Sequence, residues 1–313
     1  MQNEIMYTND NIWKQLQEHL PEKCRIDGNI FPKEEYINYD NSRIHFDIYT
    51  PDNSKNNITV ILFHGVGGNG RLLSFFAVPL VKQGFAVIAP DLPGYGYTEY
   101  NGAITYQSWI DVGNNIVKSE IAEGKKVFLM GLSAGGMLAY NIACLNENIS
   151  GLILTCILDN REKEVVKYSA KNEFMGTFGL AFLKKMPLFI KKIKVPMKMV
   201  TNMNAIVNSK DILKVLLKDK RGAGVNISLL FMLSMMEYKP LLEAEDFKNV
   251  PVLMVHPKDD KWTPVFVSEL FFDKIGSNKK KIILENAGHF PVEEPGVSQL
   301  INGIIEFIGK SGK

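Results

Sequence analysis

The segment GLSAGG at residues 131–136 places a serine in the spacing G-x-S-x-G. An apolar run, KVFLM, comes directly before it, and a helix-compatible run, MLAYNIACL, comes directly after it. A serine in a sharp turn between a strand and a helix has a strained backbone, and its exposed hydroxyl lies near helix amides that favour negative charge. Gly131 and Gly135 would approach neighbouring backbone too closely to carry side chains. This context predicts Ser133 as a nucleophile.

A serine hydroxyl needs a base at neutral pH. The chain has five histidines: His19, His45, His64, His256 and His289. Of these, His289 lies in a polar loop, ENAGHFPVEEP, after the last predicted strand. When the nucleophile is on a strand-to-helix turn and the acid follows it in the chain, the base comes last. His289 is therefore the predicted base.

The acid that orients this base should follow the preceding strand. That strand, residues 252–256, runs into PKDDKWTP, which offers two adjacent carboxylates, Asp259 and Asp260. Their position after the strand does not decide which of the two carboxylates is the acid. The acid would hold the imidazole in the required tautomer and stabilise its protonated form.

The elements that must position these side chains alternate along the chain. An early run, residues 43–49, alternates polar and apolar residues as an antiparallel strand does. Later runs at 58–63, 85–89, 126–130, 151–155, 252–256 and 281–284 are almost continuously apolar, as expected of parallel strands covered on both faces. Predicted helices lie at residues 71–82, 106–121, 133–144 and 297–308. The alternation predicts an α/β fold around a mostly parallel sheet.

From about residue 38 onward the chain resembles the α/β-hydrolase superfamily. The similarity rests on GLSAGG, on FHGVGG after a strand, on DLPGYG, and on GHFPVEEP near the end. Within the superfamily it is most like the monoacylglycerol lipase, lysophospholipase and serine aminopeptidase (S33-like) group. The resemblance implies an eight-stranded, mostly parallel sheet with helices on both faces and a helical cap.

The resemblance also implies roles for particular residues. In the family's G-x-x-D-x-x-x-P loop the aspartate stands four residues before the proline, which selects Asp260, although Pro257 stands where the glycine usually is. The oxyanion donors would be the backbone N–H groups of Val66 and Ala134. His64 would anchor the loop that contains Gly65. A phosphate-binding loop is the alternative for FHGVGG, but no G-K-[ST] follows and the G-x-G-x-x-G spacing is absent.

The predicted organisation is an N-terminal helical segment (1–35), a core (36–159 and 246–313) and a helical cap (160–245). The cap segment carries eight of the thirteen methionines: Met175, Met186, Met197, Met199, Met203, Met232, Met235 and Met236. Between Phe174 and Lys210 it also carries seven lysines and no acid: Lys184, Lys185, Lys191, Lys192, Lys194, Lys198 and Lys210. One interpretation is simple packing with a solvated lysine face. The other is an adaptable pocket for an acyl chain, including Met197 and Met199, with lysines facing an anionic lipid surface.

The composition excludes other classes. The net charge of +2 indicates no polyanionic partner such as nucleic acid. Three cysteines, Cys24, Cys144 and Cys156, are too few for a disulfide framework, and their apolar surroundings predict inert buried thiols. No secretory signal pattern or long apolar segment is evident, so a cytoplasmic location is predicted.

The sequence predicts a hydrolase of a carboxylic ester with a lipid-like or medium-chain acyl group, needing no metal or cofactor. An amide, peptide or thioester substrate, or transfer to another acceptor, would use the same three side chains. A ligand-binding protein on a hydrolase fold is the third hypothesis, which a missing nucleophile, base or acid would have favoured. The oligomeric state is left open.

Overall fold

The computed structural model describes residues 6–53, 57–170, 179–248 and 250–312. Its strands are β1 Lys33–Tyr39, β2 Ser42–Tyr49, β3 Ile58–Phe63, β4 Ala86–Pro90, β5 Lys126–Leu132, β6 Gly151–Thr155, β7 Lys194–Pro196, β8 Asn226–Ser228, β9 Val252–Pro257 and β10 Lys279–Leu284. Its α-helices are α1 Asn11–His19, α2 Ser74–Lys82, α3 Tyr106–Ala122, α4 Ala134–Cys144, α5 Lys163–Ser169, α6 Leu180–Lys185, α7 Leu188–Lys191, α8 Met197–Val200, α9 Lys210–Leu216, α10 Leu229–Glu237, α11 Val265–Phe272 and α12 Gly296–Ser311.

Eight strands form the main sheet in the order β1-β2-β4-β3-β5-β6-β9-β10. Strand β2 pairs antiparallel with both of its neighbours, and the other pairs in the sheet are parallel. The central strands β3, β5, β6 and β9 are buried nearly throughout, which explains their continuous apolar runs. The predicted mostly parallel, eight-stranded sheet of an α/β-hydrolase is confirmed.

Helices cover both faces of this sheet. Phe128 of β5 is the ladder partner of Val60 of β3, so the two side chains share a face, and the Phe128 ring lies 6.3 Å from that of Phe307 in α12. Phe63 is three residues beyond Val60 and therefore faces the opposite side. There a Cβ added at Gly113 of α3 would lie 3.0 Å from the Phe63 ring. Helices α12 and α3 thus pack on opposite faces.

The parallel strands all end at one edge of the sheet. His64 follows β3, Ser133 follows β5, and Cys156 follows β6. Asp260 lies in the loop after β9 and His289 in the loop after β10. Chemistry-bearing side chains from five separate parts of the sequence are therefore collected at this edge, where open α/β sheets bind ligands.

The insertion between β6 and β9, in its described residues 160–170 and 179–245, contacts these loops. The Phe290 N–H donates to the Ile206 carbonyl, the Asn208 side chain donates to the Asp259 carbonyl, and the Trp262 indole donates to the Ser169 carbonyl. A helical insertion was expected without individual helix positions, and helices α5 to α10 lie in it; the short antiparallel pair β7–β8 was not expected. Strands of three residues are too short to show an alternating pattern, and their partners are about thirty residues apart.

In its described residues, 6–35, the N-terminal segment is only partly helical. Helix α1 packs against α9 of the insertion, and Trp13 lines the same small cavity as Leu216. Strand β1 begins at Lys33, inside the segment predicted to be helical up to residue 35. The strand was missed because it is a half-exposed edge strand of mostly charged and polar residues, KEEYINY. None of the helices in the described ranges is both long and apolar enough to cross a membrane.

Candidate active site

Ser133 stands on the turn between β5 and α4 with φ of 59° and ψ of −121°. Its positive φ is a strained conformation for a residue with a side chain. The close approach predicted for the flanking glycines is present: a Cβ at Gly131 would lie 2.0 Å from the Gly135 carbonyl oxygen, and a Cβ at Gly135 would lie 2.2 Å from the Phe63 carbonyl oxygen. A larger residue at Gly135 would push the turn away from the end of β3, and one at Gly131 would collide with the first turn of α4.

The loop after β3 lies against this turn. A Cβ at Gly65 would lie 3.1 Å from the Ser133 Cβ and 3.5 Å from the Ala134 nitrogen. Ala134 is the first residue of α4, where a backbone N–H has no partner within the helix. Val66, Ala134 and Ser133 all line one cavity. The two predicted oxyanion donors are therefore on segments that meet at the serine.

His64 is held inside the protein as a neutral ring. Its Nδ1 lies 2.8 Å from the Gly65 carbonyl oxygen, and its Nε2 lies 3.0 Å from the Leu92 nitrogen. Because a carbonyl only accepts and a backbone N–H only donates, Nδ1 bears the proton and Nε2 accepts. Burial is the main reason that the pKa of His64 falls to about 4. The ring thus fixes the Gly65 loop to the loop after β4.

Asp260 and His289 form a buried pair. His289 Nδ1 lies 2.7 Å from Asp260 Oδ2. The other oxygen, Oδ1, accepts the N–H groups of Trp262 and Thr263, each at 2.8 Å. Burial alone would raise the pKa of Asp260, but the charge and hydrogen bond of His289 and the Thr263 N–H lower it to about 2. The side chain of the alternative, Asp259, is exposed.

Residues 54–296, most of the chain, match the family model described as "Serine aminopeptidase, S33". The chain belongs to this S33 family. The predicted resemblance is confirmed at the level of the α/β-hydrolase fold and of this family.

Individual relatives of this S33 family member are distant. An uncharacterized 31.7 kDa protein of Escherichia coli is 24% identical over 255 residues, covering 78% of this chain and 87% of the relative. A soluble variant of the Saccharomyces cerevisiae monoglyceride lipase, solved with a substrate analog, is similar with a TM-score of 0.76 at 19% identity, covering 92% of this chain and 97% of that one. The Paleococcus ferrophilus monoacylglycerol lipase is similar with a TM-score of 0.64 at 20% identity, covering 90% and 99%. These structures show the shared fold.

The cavity beside Ser133 in this S33 family member has a volume of about 290 Å³. Its walls are mainly apolar and come from the insertion and from the core. Among the described residues, four methionines of the insertion line it, Met186, Met232, Met235 and Met236, and α4 contributes Met137. Met197 and Met199, the two methionines singled out from the sequence, do not line it. Met197 is buried in the hydrophobic core and Met199 is 53% exposed, because composition does not reveal which way a side chain in a short helix points.

Three residues around the Asp260–His289 pair were not anticipated. The Thr263 hydroxyl lies 2.9 Å from Asp260 Oδ2 and 3.1 Å from His289 Nδ1. The Trp262 ring packs 4.8 Å from the imidazole and also lines the cavity. Cys156 Sγ lies 3.4 Å from Asp260 Oδ2, and burial raises the pKa of this thiol well above its usual range. The threonine could have been suspected from its place three residues after the acid.

Two groups of side chains bring ligand atoms within 4.8 Å of one another in the described part of the chain. One is Cys156, Asp260 and His289, whose atoms already hydrogen-bond to each other. The other is Glu34, His45 and Asp47, where Arg71 forms ion pairs with both carboxylates. Both groups have internal partners that account for their closeness, and we assign no metal to either.

Proposed function

We propose that this protein hydrolyses carboxylic esters with a lipid-like or medium-chain acyl group, through Ser133, His289 and Asp260. The observation that carries the proposal is the position of Ser133, a strained serine that opens into an apolar cavity. A pocket of about 290 Å³ is near the lower end of the range of about 300–1,000 Å³ that small-molecule sites occupy. Apolar walls suit an acyl chain better than a charged peptide.

In the proposed reaction, the Ser133 hydroxyl attacks the ester carbonyl while His289 takes its proton at Nε2. Asp260 holds Nδ1–H and stabilises the protonated ring. The Val66 and Ala134 N–H groups would bind the oxyanion, an interaction in which one donor contributes about 2.7–4 kcal/mol. His289 then protonates the leaving alcohol, and water releases the acid by the same route.

The chain-length dependence of ester hydrolysis tests this proposal. On p-nitrophenyl esters, kcat/KM should rise from C2 towards C8, because each buried CH₂ contributes about 0.8 kcal/mol. Met232 and Met236 line the cavity one helical turn apart on α10. Changing both to glutamine should flatten the rise while preserving turnover of the acetate ester.

Met199→Gln is the matched control, since this methionine is exposed and outside the cavity. It should leave the profile unchanged. Aminoacyl p-nitroanilides, run beside the esters, address the amide alternative that the family description raises. Turnover of anilides without ester hydrolysis would contradict the proposed function, and a flat ester profile would remove its acyl-chain component.

A peripheral contact with lipid surfaces is a further part of the proposal. Helices α6 and α7 and the residues after them expose large apolar side chains: Phe182 at 66%, Leu188 at 57%, Phe189 at 73% and Ile193 at 52%. Lysines are interspersed with them. Phe182 and Ile190 also line the cavity. An apolar, basic surface around a pocket is suited to an anionic lipid interface from which the substrate would enter.

Vesicle sedimentation tests this contact. Changing Lys191, Lys192 and Lys194 together to glutamine should weaken binding to vesicles containing anionic lipid. Each lysine near such a surface contributes about 1 kcal/mol, and the difference should shrink at high salt. The control changes Lys33, Lys118 and Lys310, exposed lysines on other elements, and should bind as the wild type does. Absence of wild-type binding, or equal losses in both triple variants, would refute the contact.

A further inference from the structure

A turn of the insertion, residues 219–224, packs directly on the loop that contains Val66. A Cβ at Gly222 would lie 3.1 Å from the Gly67 carbonyl oxygen. From the other side, a Cβ at Gly67 would lie 3.5 Å from the Cα of Ala223. Gly67 has φ of 81°, a conformation that favours glycine. The backbones of the 219–224 turn and of the Gly65–Asn69 loop are therefore in contact, and the side chain of Met203 packs beside Gly67.

One side-chain hydrogen bond joins the two segments. Asn69 Nδ2 donates to Asp219 Oδ2 at 3.1 Å. The remaining atoms of both side chains are committed locally: Asn69 Oδ1 accepts the Leu72 N–H at 2.8 Å, and Asp219 Oδ1 accepts the Arg221 N–H at 2.8 Å. Donor and acceptor directions are therefore fixed at both ends, and Asn69 is buried. The hydrogen bond between Asn69 and Asp219 therefore fixes the C-terminal end of the Gly65–Asn69 loop.

The 219–224 turn is itself tied to the core. The Gly96 N–H donates to the Arg221 carbonyl at 3.0 Å, and the Arg221 guanidinium lies 3.8 Å from the centre of the Tyr97 ring. The Asp219 carbonyl accepts the N–H groups of Gly222 and Gly224. The turn that contains Asp219 is therefore held by contacts to Gly96 and Tyr97 and by its own backbone hydrogen bonds. These contacts fix the position from which the Asp219 carboxylate accepts the Asn69 hydrogen bond.

The surroundings of Asp219 disfavour the ionised form of its carboxyl group. Burial and the nearby carboxylates of Asp10 and Asp91 raise its pKa to about 6, although the Arg221 N–H opposes the shift. Asp10 caps α1 and Asp91 follows β4, so like charges approach from two elements of the fold. A carboxylate kept in such surroundings fits a functional role better than a purely stabilising one.

We propose that Asp219 and Asn69 are positioning residues for the Gly65–Asn69 loop, which contains the oxyanion donor Val66. Their hydrogen bond holds the loop so that the Val66 N–H is aimed at the oxyanion, and the insertion thereby acts on the rate of the reaction as well as on substrate binding. This inference rests on the proposed function, because it takes Val66 as an oxyanion donor.

Exchanging the two side chains tests the pairing. In Asp219→Asn the new amide would face the Asn69 amide, donor to donor. In Asn69→Asp two carboxylates would face each other. Either change should lower kcat about tenfold with KM within about twofold, a fraction of the about 10²–10³-fold lost when an oxyanion donor is removed. The double exchange places a carboxylate on the loop and an amide on the turn, and should return kcat to within about threefold of wild type.

Expressing activity per active site distinguishes an effect on loop position from a loss of folded protein. Active enzyme is titrated with a fluorophosphonate, and kcat is expressed per labelled site, so loss of folded protein does not lower it. Asp211→Asn, an exposed carboxylate of the same insertion paired with Lys214, should behave as wild type. Unchanged kcat per site in both single variants, or impaired single variants without recovery in the exchange, would overturn the proposal. If the single variants do not fold, the double exchange decides: wild-type kcat per site supports the proposal, and a low value overturns it.

A second readout does not depend on the ester. The rate constant for phosphonylation of Ser133 should fall in the single variants and recover in the exchange, since the phosphonyl oxygen occupies the same oxyanion site. A wild type that is labelled but hydrolyses no ester would contradict the proposed function and leave this test intact. Equal phosphonylation rates in all variants would overturn the positioning role alone.

Discussion

Ser133→Ala is expected to abolish hydrolysis, with a fall in kcat of about 10⁶-fold, the loss typical of removing the nucleophile of a serine hydrolase. The reason is local: the hydroxyl on the strained turn supplies the attacking oxygen, and no other described serine has its geometry, with φ of 59° at the start of a helix. The fold should persist, because alanine removes a single oxygen from a position that lines the cavity. Steady-state kinetics and the thermal midpoint measure the two effects.

Ser169→Ala is the matched control, since Ser169 lines the same cavity without the strained turn. A fluorophosphonate probe should label the wild type and Ser169→Ala once and leave Ser133→Ala unlabelled. Labelling of the Ser133→Ala protein, or retention of its esterase activity, would remove the nucleophile from the proposal.

Asp260→Asn is expected to lower kcat by about 10⁴-fold, as a comparable substitution does in serine proteases. An asparagine would present either its amide or its oxygen to His289 Nδ1. With Oδ1 already accepting the N–H groups of Trp262 and Thr263, the amide is left facing the imidazole and favours the wrong tautomer. Because the pKa of Asp260 is about 2, this residue stays ionised at any pH used for the assay.

Asp259→Asn should change kcat by less than about twofold, since its side chain is exposed and one position away. Comparing the two variants isolates the role of the buried carboxylate from a general change in loop charge. Similar losses at both positions, or a larger loss at Asp259, would contradict the assignment.

The parts of the fold that could be predicted from sequence are those with continuous burial. Strands β3, β5, β6 and β9 are surrounded on both faces, so their apolar runs identified them. Strand β1 has no such run because it lies at the edge of the sheet. Helix α11, Val265–Phe272, was missed, because its run VFVSELFF is as apolar as a strand.

In the candidate site, features set by neighbouring residues could be predicted from the sequence, and features built from distant segments could not. The turn at Ser133 is specified by its own neighbours, Gly131 and Gly135, and could be recognised from six residues. The choice between Asp259 and Asp260 needed a family motif, because adjacent side chains look alike in sequence. The cavity could not be predicted: its walls come from α4, α6, α10 and several loops, and only the folded chain shows that Met232 faces it while Met199 does not.

The docking of α1 on α9 has a consequence for the order of folding. About 190 residues separate the two helices, so at roughly 5–20 residues per second α1 leaves the ribosome about 10–40 s before its partner is made. Trp13 and Leu16, buried in the folded protein, have no α9 to pack against during that interval. The apolar face of α1 is then a surface that a chaperone can hold until α9 has been made.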